Sequence, residues 1–107
     1  MIETEIWKEI DGERGYYVSN MGRVKSTNYR QTGQERIMKQ SENSIGHGRM
    51  TVNIRGNVYA VRQLVAVAFV PNPNNYRNVR HIDGDFRNVR ADNLAWYKNN
   101  YRKPSNE

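Results

Sequence analysis

Residues Val79–Trp96 read VRHIDGDFRNVRADNLAW, and the interpretation of this stretch decides the fold. Val79–Ile82 has the make-up of a short strand, and Asp83-Gly84 is a strong hairpin-turn signal. The chain is expected to return as a strand over Asp85–Val89. Asp92 stands where it can cap a last helix from about Asn93 to Tyr101, with Leu94, Tyr97 and Tyr101 facing inward. Strand, turn, returning strand and helix would gather His81, Asn88 and Asn93. A neutral histidine is a good general base, and an asparagine carbonyl is a weak oxygen ligand for a hard cation. Hydrolysis of a phosphodiester needs an activated water and a clamp on the phosphate. The tract holds residue types for both. The same Asn, Asp and Gly also make ordinary turns and caps, and spacing alone leaves the two readings level.

Upstream, Arg62–Val70 (RQLVAVAFV) suits a short buried helix with Leu64, Val65, Ala68 and Phe69 on one face; periodicity at this length does not separate it from a buried strand. Pro71-Asn72-Pro73 ends it. Met50, Val52 and Ile54 alternate with Thr51, Asn53 and Arg55 as in a half-buried strand. Arg55-Gly56-Asn57 turns the chain into a strand that ends near Val61. Earlier still, Ile6, Lys8 and Ile10 share one strand phase, with Trp7 in the other. Tyr16–Ser19 reads as a strand, Asn20-Met21-Gly22 as a turn and Arg23–Ser26 as the return. Residues 27–36 and 41–48 read as polar loops, with a brief strand at Ile37-Met38. Lys103–Glu107 should fray.

Composition bounds what such a chain can be. Its 107 residues make about one domain. Leu, Ile, Val and Phe total only 21, so the core is thin. Val and Ile number 17 against two Leu, which favours strands. No apolar run is long enough to span a bilayer, and the acidic N-terminus does not read as a secretory signal. The absence of cysteine excludes disulfides and thiolate zinc sites and fits a cytoplasmic location. Net charge is +6, but residues 1–13 carry −4 and the remainder +10. Arg outnumbers Lys 12 to 5. Guanidinium forks match phosphates and guanine edges, so a basic, polar, Arg-rich chain points to nucleic acid.

Val79–Trp96 also resembles the HNH nuclease motif of phage and intron-type homing endonucleases. Val61–Pro73 (VRQLVAVAFVPNP) is similar to the segment that precedes that motif in the family. Trp7–Ser26 (WKEIDGERGYYVSNMGRVKS) resembles the nuclease-associated modular motif. The three blocks occur in the family's order and spacing over residues 7–96. The resemblance implies an α+β domain over residues 1–107. Its small N-terminal antiparallel sheet would lie in a β-rich region at 7–60, followed by a ββα-metal unit at 61–101. It implies His81 as the base that activates water, Asn93 as a metal ligand, Asn88 as a brace for the hairpin, and Mg2+ or Mn2+ as the cofactor of an active enzyme.

Three positions depart from the family pattern. Arg80 stands where the family has Asn or Asp as a second metal ligand, Arg62 where it has a His, and Val89 where it has an Asn. Arginine has five donors and no acceptor, so it cannot ligate a cation and repels one at close range. The two changes to arginine favour holding a polyanion over cutting it. The leading expectation is therefore a DNA-binding protein on an HNH scaffold with an impaired metal site. An active metal-dependent nicking endonuclease is the alternative, and a phage-type inhibitor that binds a host protein is a third. Arg62, Arg80, Arg87, Arg90, Arg23, Lys25, Arg49 and Arg55 are the expected DNA-contacting cations, with Arg14 beside them. Trp7 and Tyr16, Tyr17, Tyr59 and Tyr97 are expected to fill the core rather than stack on bases. His47, between glycines, reads as a surface residue. Oligomeric state is left open.

Overall fold

Among the described residues, one helix seals three small sheets. The computed structural model describes residues 4–29, 33–43 and 48–98. Helix α1 (Val61–Phe69) begins directly where strand β7 ends at Ala60, so no linker separates the two halves of the chain. Its Val61, Val65 and Ala66 are fully buried. They join Val18 and Val24 from the first sheet, Val52 and Ile54 from the second, and Val79 and Leu94 from the C-terminal ribbon. Nine of the eleven buried apolar residues are Val or Ile, the side chains that pack best on pleated surfaces. Leu64, Ala68 and Phe69 pack only partly against this core, so the buried stripe is rotated from the expected face toward Val61 and Ala66. Among the described residues no helix is long and apolar enough to cross a membrane.

The first sheet is antiparallel in the order β1 (Trp7–Glu9), β2 (Tyr16–Ser19), β3 (Val24–Tyr29), β4 (Gln34–Ile37). The second has the order β5 (Ser41–Asn43), β6 (Arg49–Ile54), β7 (Asn57–Ala60). The expected strands at Tyr16–Ser19 and around Val52 are present, and Arg55 (φ 54°) and Gly56 (φ 88°) make the expected turn between β6 and β7. Two expected loops are strands instead. Residues 27–36 contribute the end of β3 and the start of β4, and residues 41–43 form β5. β4 and β5 are edge strands, and all four residues of β4 are exposed. Backbone ladders define such strands, so no apolar alternation marks them.

The C-terminal ribbon corrects two further expectations. Strand β8 (Asn78–His81) pairs with β9 (Leu94–Tyr97), not with residues 85–89, in the register Val79↔Trp96 and His81↔Leu94. The helix expected from Asn93 is a single 3-10 turn (Ala91–Asn93) followed by β9; Asp92 lies inside that turn, and Arg90 precedes it without a side-chain cap. The apolar residues explain the outcome. Leu94 is buried, and Trp96 donates its indole N–H to the Val70 carbonyl at 3.0 Å. That spacing of two suits a strand, whereas the helical partner of Leu94, Tyr97, is 39% exposed. Tyr101 and Lys103–Glu107 lie outside the described residues. The fold is thus a sheet-rich α+β arrangement with one helix among the described residues, and those residues hold no terminal helix completing a ββα unit.

The Ser19–Gly22 turn locks the first sheet onto this ribbon. The buried Ser19 hydroxyl accepts from the backbone N–H groups of Met21 (3.1 Å) and Arg23 (3.2 Å). The Asn20 side chain accepts from Ile6 N–H at 2.8 Å, and its carbonyl accepts from Ala91 N–H at 2.8 Å. Gly22, at φ 88°, lies against Val89 so closely that a Cβ there would stand 2.6 Å from Val89 Cγ2. The S-N-x-G signature of the N-terminal motif is therefore a docking device for the loop that follows His81.

Candidate functional site

His81 ends β8. Strand alternation turns it to the same side as the buried Val79, while Arg80 between them is exposed. Its Nε2 is shielded from solvent and has no hydrogen-bond partner among the described residues. Helix α1 delivers Arg62 beside it. Gly48, Arg62, Arg80, His81, Phe86 and Tyr97 line most of a cleft of about 370 Å³. Gly48 (φ 78°) forms part of the wall because the Phe86 ring lies on its backbone; a Cβ there would be 2.5 Å from Phe86 Cδ2.

Burial, and then the Arg62 charge, hold the His81 imidazolium pKa below the usual histidine value, against the opposing pull of Asp83 and Asp85. The neutral imidazole is therefore favoured. An NMR titration is expected to place its midpoint below about 6.5, and Arg62→Gln should move it back upward. The sign for stability follows from linkage. The unfolded chain takes up a proton on this histidine below about pH 6.5 while the folded chain resists it, so stability falls as pH drops through that value. Urea unfolding at pH 7 and at mildly acid pH measures the difference, and His81→Gln should shrink it.

The loop 82–93 closes around Asp83. One carboxylate oxygen accepts from Asp85 N–H (2.8 Å) and from the Asn93 amide (2.9 Å); the other accepts from the Asn88 amide (2.9 Å). The Asn93 carbonyl oxygen in turn accepts from Asp83 N–H at 3.0 Å, and its amide also donates to the Asn88 backbone carbonyl at 2.9 Å. Ile82 N–H donates to the Asn93 backbone carbonyl at 2.7 Å. These bonds, led by that from Asn88, hold the Asp83 carboxyl below the usual range. The structure does bring His81, Asn88 and Asn93 into one region, but both asparagine side chains are bonded to Asp83. Asp83 is the hub that sequence reasoning assigned only to a turn. The alternating Asp83-x-Asp85-x-Arg87 spacing was the available signal, because each Asp accepts from a backbone N–H two residues on.

Among the described residues no group of three or more His, Asp or Glu is arranged to hold a metal. His81 Nε2 is unoccupied, but a guanidinium stands nearby, and the Asn93 carbonyl oxygen and both Asp83 oxygens already accept hydrogen bonds.

The other predicted cations are distributed over the surface. Arg23 pairs with Glu5 and lies 5.6 Å over Trp7; Lys25 lies 4.5 Å over the same ring and 3.4 Å from Glu35. Arg55 is 3.9 Å from Glu13, Arg87 is 2.7 Å from Glu42, and Arg90 is 3.4 Å from Asp92. Arg62, Arg80 and Arg49 have no carboxylate partner among the described residues. Trp7, Tyr16, Tyr17 and Tyr59 are half-buried, and Tyr59 donates to the buried Glu13 carboxylate. Tyr97 instead stands exposed at the cleft. His47 lies outside the described residues.

A β-rich N-terminal motif docked on a histidine-bearing ribbon defines the class. The chain is HNH-homing-endonuclease-like, with residues 5–55 matching the NUMOD4 motif. It is 39% identical over 101 residues to an uncharacterised HNH endonuclease of Acanthamoeba polyphaga mimivirus, covering 88% of this chain and 24% of that one. It is 34% identical over 91 residues to the DNA endonuclease I-HmuI of Bacillus phage SP01, covering 84% of this chain and 51% of the relative. A solved structure of DNA binding and cleavage by the HNH homing endonuclease I-HmuI superposes with a TM-score of 0.66 at 30% identity, over 87% of this chain and 52% of that one. The chain thus spans about a quarter and about half of the relatives it matches.

Proposed function

We propose that the chain is a DNA-binding protein on an HNH endonuclease scaffold whose His81 cleft grips the nucleic acid without cutting it. One observation carries the reading: Arg62 and Arg80 line the same cleft as His81, where a hydrolytic metal would require acceptors. The net charge of +10 beyond residue 13 supplies long-range attraction to a polyanion. The viral and phage origin of the relatives supports action inside an infected cell. A second reading, an active nicking enzyme, is favoured by His81 itself, because a neutral imidazole with a free Nε2 is what a general base needs.

Incubation with supercoiled plasmid in magnesium, in manganese and in chelator separates the two. The expected result is a shifted but intact plasmid in all three. Duplex affinity should fall linearly on a log–log plot against salt, by roughly one unit of slope per phosphate neutralised. Cutting that needs metal and is lost in His81→Ala would assign the enzyme instead. Neither a shift nor cutting would move the chain to the protein-binding class. Arg80→Asn should raise affinity for manganese, and no gain would remove Arg80 as the reason for impairment.

A further inference from the structure

We infer that the outer face of helix α1 is a self-association surface, on which a second copy of the chain docks antiparallel to the first with Val67 as the central anchor. The inference goes beyond the DNA-binding reading and does not depend on it. Two concavities, of about 660 and 360 Å³, open on this face and share Lys8, Gln63, Val67 and Ala68 in their lining. Gln63 and Val67 are one helical turn apart and form a ridge between the two. Val67 is 58% exposed. A lone exposed valine is ordinary, but this one stands beside a hole walled by Ile10, Val18, Tyr59 and Leu64. The larger concavity continues past the end of the helix to Tyr76, Arg77 and Trp96.

Both halves of a complementary contact lie on this one face, which is what a two-fold interface requires. Rotation about an axis beside Val67 lays the two α1 helices antiparallel and carries the ridge of each copy into the apolar hole of the other. Valine and alanine at the crossing allow the helices to approach to about 8–10 Å. The charges obey the same symmetry. Asp11 lies at the end of the face nearer Leu64, and Arg77 at the end beyond Phe69. Both are exposed, and neither has a charged partner among the described residues. The antiparallel arrangement brings Asp11 of each copy toward Arg77 of the other. Lys8 and Glu9 are already engaged: Lys8 donates to the Ala68 carbonyl at 2.8 Å, and Glu9 accepts from Gly15 N–H at 3.1 Å. A chain of net charge +6 repels its copies, but on this face Lys8 and Arg77 are balanced by Glu9 and Asp11. The same neutrality, with the apolar walls, suits a second copy and not a polyanion.

Sedimentation equilibrium of the intact chain, without nucleic acid and from micromolar to millimolar concentration, tests the inference. The weight-average mass is expected to rise from 12.6 kDa toward twice that value as concentration increases. Val67→Glu should hold it at the monomer mass throughout, with an unchanged urea midpoint because the position is exposed. Asp11→Arg and Arg77→Glu should each weaken association about tenfold, since each sets like charges together, and the double variant should recover most of it. Both positions are exposed, so these variants keep the test independent of Val67. A monomer mass at every concentration overturns the inference, and that is the result a face reserved for a different protein would give. A dimer that Val67→Glu leaves unchanged overturns it by placing the contact elsewhere. Losses that add in the double charge variant overturn the antiparallel arrangement. No sample contains DNA, so failure here leaves the DNA-binding reading as it stood, and a chain that binds no DNA leaves this inference as it stands.

Discussion

Gly22→Ala is expected to destabilise the chain by about 2–5 kcal/mol, the sum of a left-handed backbone cost and an overpacking cost. The position has φ 88°, which an L side chain adopts at about 1–2 kcal/mol. The new Cβ would stand 2.6 Å from Val89 Cγ2 and 2.9 Å from the Val89 carbonyl oxygen. A side chain can swing away from such a contact, but a backbone oxygen cannot. Relief requires separating the Ser19–Gly22 turn from the loop, and that strains the 2.8 Å bond from Ala91 N–H to the Asn20 carbonyl. Gly12 provides the control. It has φ 82°, and its added Cβ would meet nothing within 4 Å, so Gly12→Ala carries the backbone cost alone. For a domain of this size each kcal/mol moves the melting temperature by roughly 4–8 °C, so the two variants should melt well apart. Equal melting temperatures would show that the contact between Gly22 and Val89 does not hold the halves together. The His81 ring resonances should shift in Gly22→Ala and not in Gly12→Ala, because only the former displaces the loop that follows β8.

The reasons why some elements were legible in the sequence and others were not are physical. Strand β6 is legible because burial imposes a period, with Val52 and Ile54 recurring at strand spacing; the helix expected from Leu64, Val65, Ala68 and Phe69 is present as α1, although of those four only Val65 is fully buried. Residues 34–36 of β4 and the whole of β5 look like loop in the sequence because none of them is buried, and nothing in their side chains records the backbone ladder. The C-terminal ribbon is hidden in the sequence because Asp83-Gly84 looks like a two-residue hairpin. In the structure only Gly84 takes a positive φ, and the loop continues to residue 93 before the partner strand begins. Local signals do not show that Asn93, ten residues away, supplies the bond that Asp83 N–H needs. At the site, the residue types were legible and their partners were not. Arg62 and His81 are 19 positions apart, and only the packing of α1 on β8 makes them neighbours. Arg23, Arg55, Arg87 and Arg90 all read as cations available for phosphate, yet each has an acidic partner that spacing did not reveal.

Asn93→Ala is expected to cost about 2–3 kcal/mol at neutral pH, from several lost hydrogen bonds and the buried groups they leave unpaired. Asn93 is 7% exposed, and it accepts from Asp83 N–H while donating to the Asp83 carboxylate and to the Asn88 carbonyl. Alanine removes all three and orphans part-buried groups on both sides of the loop. The pH dependence identifies the mechanism. A carboxyl held low, as that of Asp83 is, stabilises the fold above its unfolded pKa, and the contribution disappears as pH falls through the folded value. The penalty of Asn93→Ala should therefore be largest near neutrality and shrink in acid. Asn93→Asp should be the worse variant at pH 7, since it sets a second carboxylate against Asp83 and loses the amide donors, and it should recover more steeply in acid. A metal-ligand role predicts a different pattern. Aspartate is the stronger hard-cation ligand, so Asn93→Asp would then bind manganese more tightly, and Asn93→Ala would lose metal affinity with little change in urea midpoint. Urea midpoints across pH, read beside manganese broadening of the His81 ring, decide between the two roles. The hydrogen bonds that already occupy this side chain favour the clamp: its amide holds the Asp83 carboxylate and its carbonyl holds Asp83 N–H, the groups that fix the backbone directly after His81.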